Sequence, residues 1–411
     1  MLTRSSLFIL IISLASAAAA DAVTLTLERV PDYARAHNKS LAAARLRIDE
    51  ARGRLQQSGR LSNPEMELEF TRHTVGSEGS LGIALMQRFP LTARLRHERA
   101  VSRAQLAAAE AEVREVERLL VAQAQTAVVK LLAVKSQRAL RAKQLSASRE
   151  LSGFLQKRVE VGEASGVDFA LIDLESRQIE VQELQLAAEE AAMTGELRPL
   201  IGLSGAERIT IAGELSAPAS VPRVARGASG RPDLQAAQSL AEAARAGVAK
   251  ERASRFEDIG LGAVWSRDRT KDEPEPTETE YIVGFKIAVP LPLWNRNQGR
   301  IAEATAAAER AQREANALAL NATAEANGAR GQMAALQKLL AELDDRLLPK
   351  ATEIEERLRQ AYAVGQTPLL EVLRARTKRL ELQQQRLDAL RDYHLARVRH
   401  AAALGQPAFH K

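Results

Sequence analysis

Two runs in this chain are too long to be helices of a compact domain. From Arg94 to Val161 the sequence is rich in Ala, Glu, Arg and Leu and has no proline. As one helix, at about 1.5 Å per residue, it would extend about 100 Å. A second run starts at Ile301 and continues to Ala363, with a kink predicted at Pro349. Each run breaks at glycine, Gly162 with Gly166 and then Gly365, and a shorter helical run returns, Val167 to about Ile201 and Leu369 to Leu404. Helix pairs of this length cannot close into one globule. Only 3% of residues are aromatic, which suits long packed helices better than a large globular core.

Short alternating stretches precede both runs. Met66, Leu68 and Phe70 alternate with Glu65, Glu67 and Glu69, and Asn63-Pro64 ends the helical pattern before them. Val75-Gly76-Ser77-Glu78-Gly79 reads as a turn, after which Ser80 to Phe89 returns with Leu81, Ile83 and Leu85 on one face. The second hairpin carries Ile259, Leu261, Ala263 and Trp265, a charged loop from Lys271 to Thr279, and then Tyr281, Val283, Phe285, Ile287 and Val289. Strands of about ten residues cross a bilayer when tilted in a barrel. Half of the aromatic residues lie in or beside these strands, as interface girdles require. Four strands cannot close a barrel alone, and lipid does not tolerate open edges, so membrane strands here would have to be pooled from at least three chains. The glutamate face would then line water.

The chain reads as a duplication. Phe89-Pro90-Leu91 matches Leu291-Pro292-Leu293 at an offset of 202 residues, and Val161, Gly162 and Asp168 match Val364, Gly365 and Glu371 at 203. Pro90, Pro290 and Pro292 mark joints where a strand leads directly into a long helix.

The remaining segments set bounds. Arg4, the apolar run Leu7 to Ala15 and the small residues Ser16 to Ala20 read as a secretory signal peptide over residues 1–20. Residues 21–63 are expected to form an N-terminal helix, 203–230 a connector wrapped around the helices, and 231–255 a helix opened by Arg231-Pro232-Asp233-Leu234. No other segment reaches eighteen apolar residues, so no transmembrane helix is expected. The chain has no cysteine, which excludes disulfides, thiolate chemistry and an acylated N-terminal cysteine. The net charge of +6 is spread over Lys/Arg and Glu alternating along helices, a solvated face with no nucleic-acid surface.

These features together resemble the TolC family of outer-membrane channel-tunnels over the whole mature chain. The resemblance rests on the signal peptide, Asn63-Pro64-Glu65, the two strand–proline–helix joints, Arg231-Pro232-Asp233-Leu234 and the paired Val-Gly tips. It implies a mixed, mostly α fold: four membrane β-strands and long coiled-coil helices per chain, an internal two-fold repeat, and a homotrimer with a twelve-stranded barrel in outer-membrane lipid. The segments become a first transmembrane β-hairpin at 64–90, a first periplasmic helical hairpin at 91–202, an equatorial connector at 203–230, a second transmembrane hairpin at 256–290, and a second helical hairpin with the C-terminus at 291–411. Such a duct receives substrate from an inner-membrane pump through a periplasmic adaptor. Asn63-Pro64-Glu65 and the lack of a lipid-bearing cysteine resemble the CzcC-like branch, whose pumps are heavy-metal transporters of the resistance-nodulation-division class. Multidrug efflux and type I secretion use ducts of the same build.

The resemblance assigns adaptor contacts to Val161, Gly162, Val364 and Gly365, and a pore constriction to Asp168 and Glu371. A ring of such carboxylates attracts cations and can hold a mouth closed. The plain structural alternative is that the glycines stop helices and the acids cap the next ones. The second tip has Pro368 and no basic residue between Gly365 and Glu371, which argues against a salt-bridged latch preceding the acid. Asn295 to Arg300 lacks the Gly-x4-Gly-Lys pattern and reads as a structural turn, not a phosphate loop. The six histidines are scattered, and His394 and His400 stand six residues apart, off one helical face, so no fixed metal site is expected. No nucleophile–base pair or carboxylate dyad is present, so neither an enzyme nor a cofactor is expected. A soluble periplasmic coiled-coil adaptor would share the helices, but it would carry a small Gly-rich β-domain in place of the two aromatic-rimmed hairpins.

Overall fold

The computed structural model describes residues 23–72, 74, 78–162, 165–204, 207–218, 230–270, 276, 278–406 and 408–409. The signal-peptide reading of 1–20, residues 75–77 of the first turn and most of the 271–279 loop lie outside them. The element order is β1 (Val23–Thr26), α1 (Val30–His37), α2 (Lys39–Gln57), β2 (Glu65–Arg72), β3 (Gly79–Phe89), α3 (Arg94–Glu160), α4 (Gly166–Leu200) and β4 (Ile209–Ala212). There follow α5 (Pro232–Ala253), β5 (Ile259–Thr270), β6 (Glu278–Ala288), α6 (Gln298–Glu342), a π-turn (Leu343–Leu347), α7 (Leu348–Ala363) and α8 (Leu369–Ala403).

At 67 residues, α3 is the spine of the molecule, packing against α5, α4, α2 and α8 along its length. Its buried face repeats at helical spacing, with Ala104, Ala108 and Ala111 toward one end and Leu120, Ala124, Val128, Leu131 and Leu132 in the middle. Alanine lets neighbouring helices approach closely, while the larger side chains fill the central hub. Although α3 contains a stretch apolar and long enough to cross a membrane, 56% of that stretch is buried within the fold. Its apolarity serves the core.

The hub is where the sequence reading needs correction. The expected helix over 21–63 is instead a strand and two helices, and the connector contributes a strand of its own. Val23–Thr26 pairs in parallel with Ile209–Ala212, burying Leu25 and Ile211 against Val128, Leu197 and Ile201. Asn38 separates α1 from α2. Its Oδ1 accepts from the Leu41 amide at 2.8 Å, capping α2, while its Nδ2 donates to the carbonyls of Pro199 and Leu200 at 3.0 Å each, closing α4. Just beyond, Gly202 has φ +73, and a Cβ there would lie 2.1 Å from the His37 carbonyl oxygen. Only glycine fits that crossing.

The Pro349 kink takes a specific form. Proline has no N–H for the carbonyl four residues back, and the helix widens one turn earlier, the Leu348 amide bonding to Leu343 O. Helices α6 and α7 thus remain one long rod ending at Ala363, and Arg386 of α8 pairs with Asp344 in the wide turn at 2.5 Å.

The two hairpins are joined. They form one antiparallel sheet of order β2-β3-β5-β6, with β3 and β5 paired from Gly79↔Arg269 to Phe89↔Ile259. Register aligns the side chains in rows across all four strands. One face carries Met66–Leu85–Ala263–Phe285, Leu68–Ile83–Trp265–Val283 and Phe70–Leu81–Arg267–Tyr281; the other carries Glu65–Met86–Gly262–Lys286, Glu67–Ala84–Val264–Gly284 and Glu69–Gly82–Ser266–Ile282. The apolar face has no cover in the single chain: Phe70 is 77% exposed, Val283 75% and Phe285 89%.

Candidate channel wall and tips

The two helical tips have the same backbone. At the first, Val161 (φ −96, ψ 5) follows α3, and Gly162 at φ +79 turns the chain, its amide donating to Val159 O at 3.0 Å. At the second, Val364 (φ −99, ψ 9) follows α7, and Gly365 at φ +75 donates to Tyr362 O at 3.0 Å. The Gln366 amide reaches back to Ala361 O at 2.9 Å, completing a Schellman close. Both valines are left in the open, Val161 70% and Val364 69% exposed.

The acids also correspond. Asp168 and Glu371 each stand three residues past an N-cap, Ser165 or Pro368, and their amides bond to the cap carbonyls at 3.1 and 3.2 Å. In a first helical turn the macrodipole favours a carboxylate, so capping accounts for part of their placement. Glu371 has a partner that reasoning about the Gly365–Glu371 interval did not foresee: Arg374 Nη1 donates to Glu371 Oε1 at 2.7 Å, one turn after the acid. A single apolar core holds both tips together, with Leu155 of α3, Ile172 of α4 and Leu369 of α8 buried against Phe169 and Tyr362. Behind it α3 and α4 touch through two buried serines, Ser176 Oγ donating to Ser148 Oγ at 3.0 Å.

Ion pairs tie the helices along the wall. Arg138 of α3 donates to Glu183 and Glu190 of α4 at 2.6 and 2.5 Å, and these bonds hold its guanidinium pKa above the ordinary value. Arg379 of α8 pairs with Glu355 of α7. All five side chains are half-buried, and the loss of solvation offsets much of the attraction, so these pairs set alignment more than stability.

At the sheet's base, Pro90 lies between β3 and α3, and Pro290 and Pro292 between β6 and α6. Arg94, at the start of α3, holds Asp258 before β5 at 2.7 Å, and Thr92 Oγ1 donates to Ala253 O. Asn297 adopts φ 58 ahead of α6, and its Nδ2 donates to both the backbone and the carboxylate of Glu251. That bond keeps the Glu251 carboxyl below its ordinary pKa. The Asn295–Arg300 segment is a structural turn: Asn295 Oδ1 accepts from the Asn297 amide and Gln298 Oε1 from the Arg296 amide. Trp294 (87% exposed) and Leu291 (69%) project from this joint.

Among the described residues, no three His, Cys, Asp or Glu side chains converge as metal ligands. His394 is buried instead at the foot of α8, its Nε2 bonded to Ser216 O at 2.8 Å and its ring against Tyr393 and Phe409; burial lowers its pKa. Arg231, 5% exposed, joins α5 to α6 by binding Asp233 and Glu325 at 2.6 Å. Sequence marked Arg231 as a helix start, but nothing in the pattern pointed to its role as a buried clamp.

The model of the family described as Outer membrane efflux protein matches residues 30–203 and 226–406. The cobalt-zinc-cadmium resistance protein CzcC of Cupriavidus metallidurans is 26% identical over 398 residues, covering 93% of this chain and 87% of CzcC. Among solved structures, CusC superposes with a TM-score of 0.78 at 20% identity, covering 92% of each chain. VceC of Vibrio cholerae superposes at 0.74 with 19% identity, covering 93% of this chain and 97% of VceC. The resemblance read from the strand–proline–helix joints and the Val-Gly tips is thereby borne out. The chain belongs to the outer membrane efflux protein family, passive channels of the Gram-negative outer membrane that extend into the periplasm.

Proposed function

We propose that three copies of this chain form the outer-membrane duct of a tripartite efflux system. The observation that carries this reading is the β2-β3-β5-β6 sheet, with its apolar rows uncovered and the outer edges of β2 and β6 unpaired among the described residues. An open edge in hydrocarbon is costly, and pairing β6 of one copy with β2 of the next removes it. A twelve-stranded barrel results, with Glu65, Glu67 and Glu69 lining the lumen. The helix pairs continue it into the periplasm, and the equal backbones of the two tips support an internal two-fold repeat.

In this reading Val161, Gly162, Val364 and Gly365 meet the hairpins of a periplasmic adaptor, which links the duct to an inner-membrane pump of the resistance-nodulation-division class. Asp168 and Glu371 ring the constriction, and Pro90, Pro290 and Pro292 fix the angle between barrel and tunnel. The substrate class favoured is divalent heavy-metal cations, supported by the 26% identity to a protein named for cobalt, zinc and cadmium resistance and by the acidic lumen face. The test is growth of a deletion strain on zinc, cobalt, cadmium, nickel, copper and hydrophobic drugs. Metal sensitivity rescued by the wild-type gene supports the assignment. Drug sensitivity with unchanged metal tolerance keeps the duct and overturns the metal substrate in favour of multidrug efflux.

A further inference from the structure

The β2-β3-β5-β6 sheet sorts its charge by face and by end. On the face that carries the apolar rows, the charged side chains among the described strand residues are Arg72, Arg267 and Arg269. All three stand at the end farthest from the helices, in the rows Phe70–Leu81–Arg267–Tyr281 and Arg72–Gly79–Arg269–Thr279. The opposite face carries Asp268, Glu278 and Glu280 at that same end, while its cations, Arg88 and Lys286, lie at the end beside the helices. Strand β5 shows the sorting within three residues, Arg267 and Arg269 on the apolar face and Asp268 between them on the other. Arg88 has Glu65 at 3.5 Å, whereas Arg72, Arg267 and Arg269 are exposed and pair with no carboxylate among the described residues.

Distance along the strand puts these arginines at a boundary. From Ile259 to Trp265 the positions of β5 on the apolar face are uncharged. Arg267 comes eight residues after Ile259, about 26 Å along the strand at 3.3 Å per residue. Tilted as in a membrane barrel, that is about 20 Å of height, close to the apolar band of about 25 Å that such barrels present. An arginine is costly in the middle of that band and cheap at its rim, and Arg267 and Arg269 fall at the rim, where headgroups begin. Trp265 and Tyr281, with ring centroids 6.3 Å apart, mark the same level. Gly79 stands between Arg72 and Arg269 without a side chain, so the two flank a gap about 10 Å wide, two strand spacings.

We propose that Arg72, Arg267 and Arg269 form a docking surface for the phosphate groups of a phosphorylated glycolipid in the outer leaflet of the membrane. The inference rests on the barrel reading above, which turns the apolar face to lipid. The helices extend into the periplasm, so the far end of the sheet meets the outer leaflet. Solvated charge needs no sorting, because arginines facing only water could stand on either face with acids among them. A cluster of one sign on the lipid side, with the acids turned to the lumen, specifies an anionic neighbour. Guanidinium is the cation that matches phosphate with two parallel N–H···O bonds. Three of them, spread over two rows and with two flanking an open gap, suit a headgroup bearing more than one phosphate better than a phospholipid bearing one.

The experiment measures lipid binding by native mass spectrometry, using full-length protein extracted in detergent from outer membranes. The probes are lipid A bearing two phosphates, dephosphorylated lipid A and phosphatidylglycerol. Wild type should prefer the doubly phosphorylated lipid at least tenfold over both others, a comparison that needs no variant. The triple variant Arg72→Gln, Arg267→Gln and Arg269→Gln should lose that preference, while Arg88→Gln with Lys286→Gln, from the other face and the other end, should bind as wild type. Wild type that binds all three lipids alike, or none, would overturn the docking surface, and so would a triple variant that keeps the preference. Wild type missing from the outer-membrane fraction would sink the barrel reading itself, and this inference with it, before any lipid is added.

Discussion

Replacing Asn38 separates two roles that its amide combines. Asn38→Ala removes the cap on the Leu41 amide, a loss of about 1 kcal/mol, and leaves two carbonyls at the end of α4 without their donor, about 1 kcal/mol each. The sum is about 3 kcal/mol. With an unfolding entropy of about 2.1 cal/mol/K per residue, a chain of 411 residues changes by roughly 0.9 kcal/mol per degree, so the melting temperature should fall by about 3–4 °C. Cooperative unfolding of an oligomer leaves this shift unchanged, because site number and entropy scale together. Asn38→Asp is the sharper variant. It keeps the capping oxygen and would be neutral if capping were all that mattered, but it turns two donated bonds into a carboxylate facing two carbonyls. It should therefore destabilise at least as much as alanine, and hydrogen exchange should quicken around residues 197–203 more than around 41–44. An Asn38→Asp protein that melts with wild type would refute the reasoning.

Four further outcomes are expected. The His394 imidazole is held below its ordinary value of 6.5 by burial, so the unfolded chain takes up a proton that the folded chain refuses; stability is full above about pH 6.5 and declines as pH falls below it. Melts from pH 8 to 5 should show this decline, with Gln in place of His394, which can still donate to Ser216 O, reducing its slope; the buried His400 contributes in the same direction. Gly202→Ala, whose Cβ would collide with the His37 carbonyl, should fail to yield stable protein, checked by its level in purified outer membranes. Phe285→Arg on the apolar face should cost about 2–4 kcal/mol and deplete the membrane-inserted form in fractionation, while Lys286→Ala on the opposite face should insert normally; equal insertion of both would sink the lipid-face assignment. Asp168→Ala with Glu371→Ala should lower the cation preference of single-channel currents in planar bilayers, and an unchanged preference would return both acids to helix capping.

The elements legible in the sequence are those whose pattern repeats locally. Glu65 to Phe70 alternates without interruption, and the strand lies where that alternation lies. The 94–161 run has no proline to stop it, and α3 ends one residue short of Val161. The tips were legible because valine and glycine recur at one offset, and both take the same turn. What stayed hidden depends on partners distant in the chain. Val23–Thr26 is too short to declare itself until Ile209–Ala212 lies beside it. Asn38 sits inside a helical pattern, and its break follows from the end of α4, 161 and 162 residues on. The partner of Glu371 lies outside the Gly365–Glu371 interval, because helix geometry offers Arg374 three residues after the acid. Gln125, Arg231 and His394 are polar residues in helical runs, and only packing distinguishes a buried one from a solvated one.

The ladder between β3 and β5 has a consequence for the order of events. Its nearest paired residues, Phe89 and Ile259, are separated by 170 positions, an interval that contains the whole α3–α4 hairpin and α5. Contact order this high puts the entropic cost of closing the loop ahead of any reward from pairing. The intervening helices shorten that search only once they have folded and docked, bringing the foot of α3 beside the foot of α5. Sheet closure is therefore a late event that waits on the helical rods, so a nascent chain must keep its apolar rows away from other chains until β5 has been made and delivered.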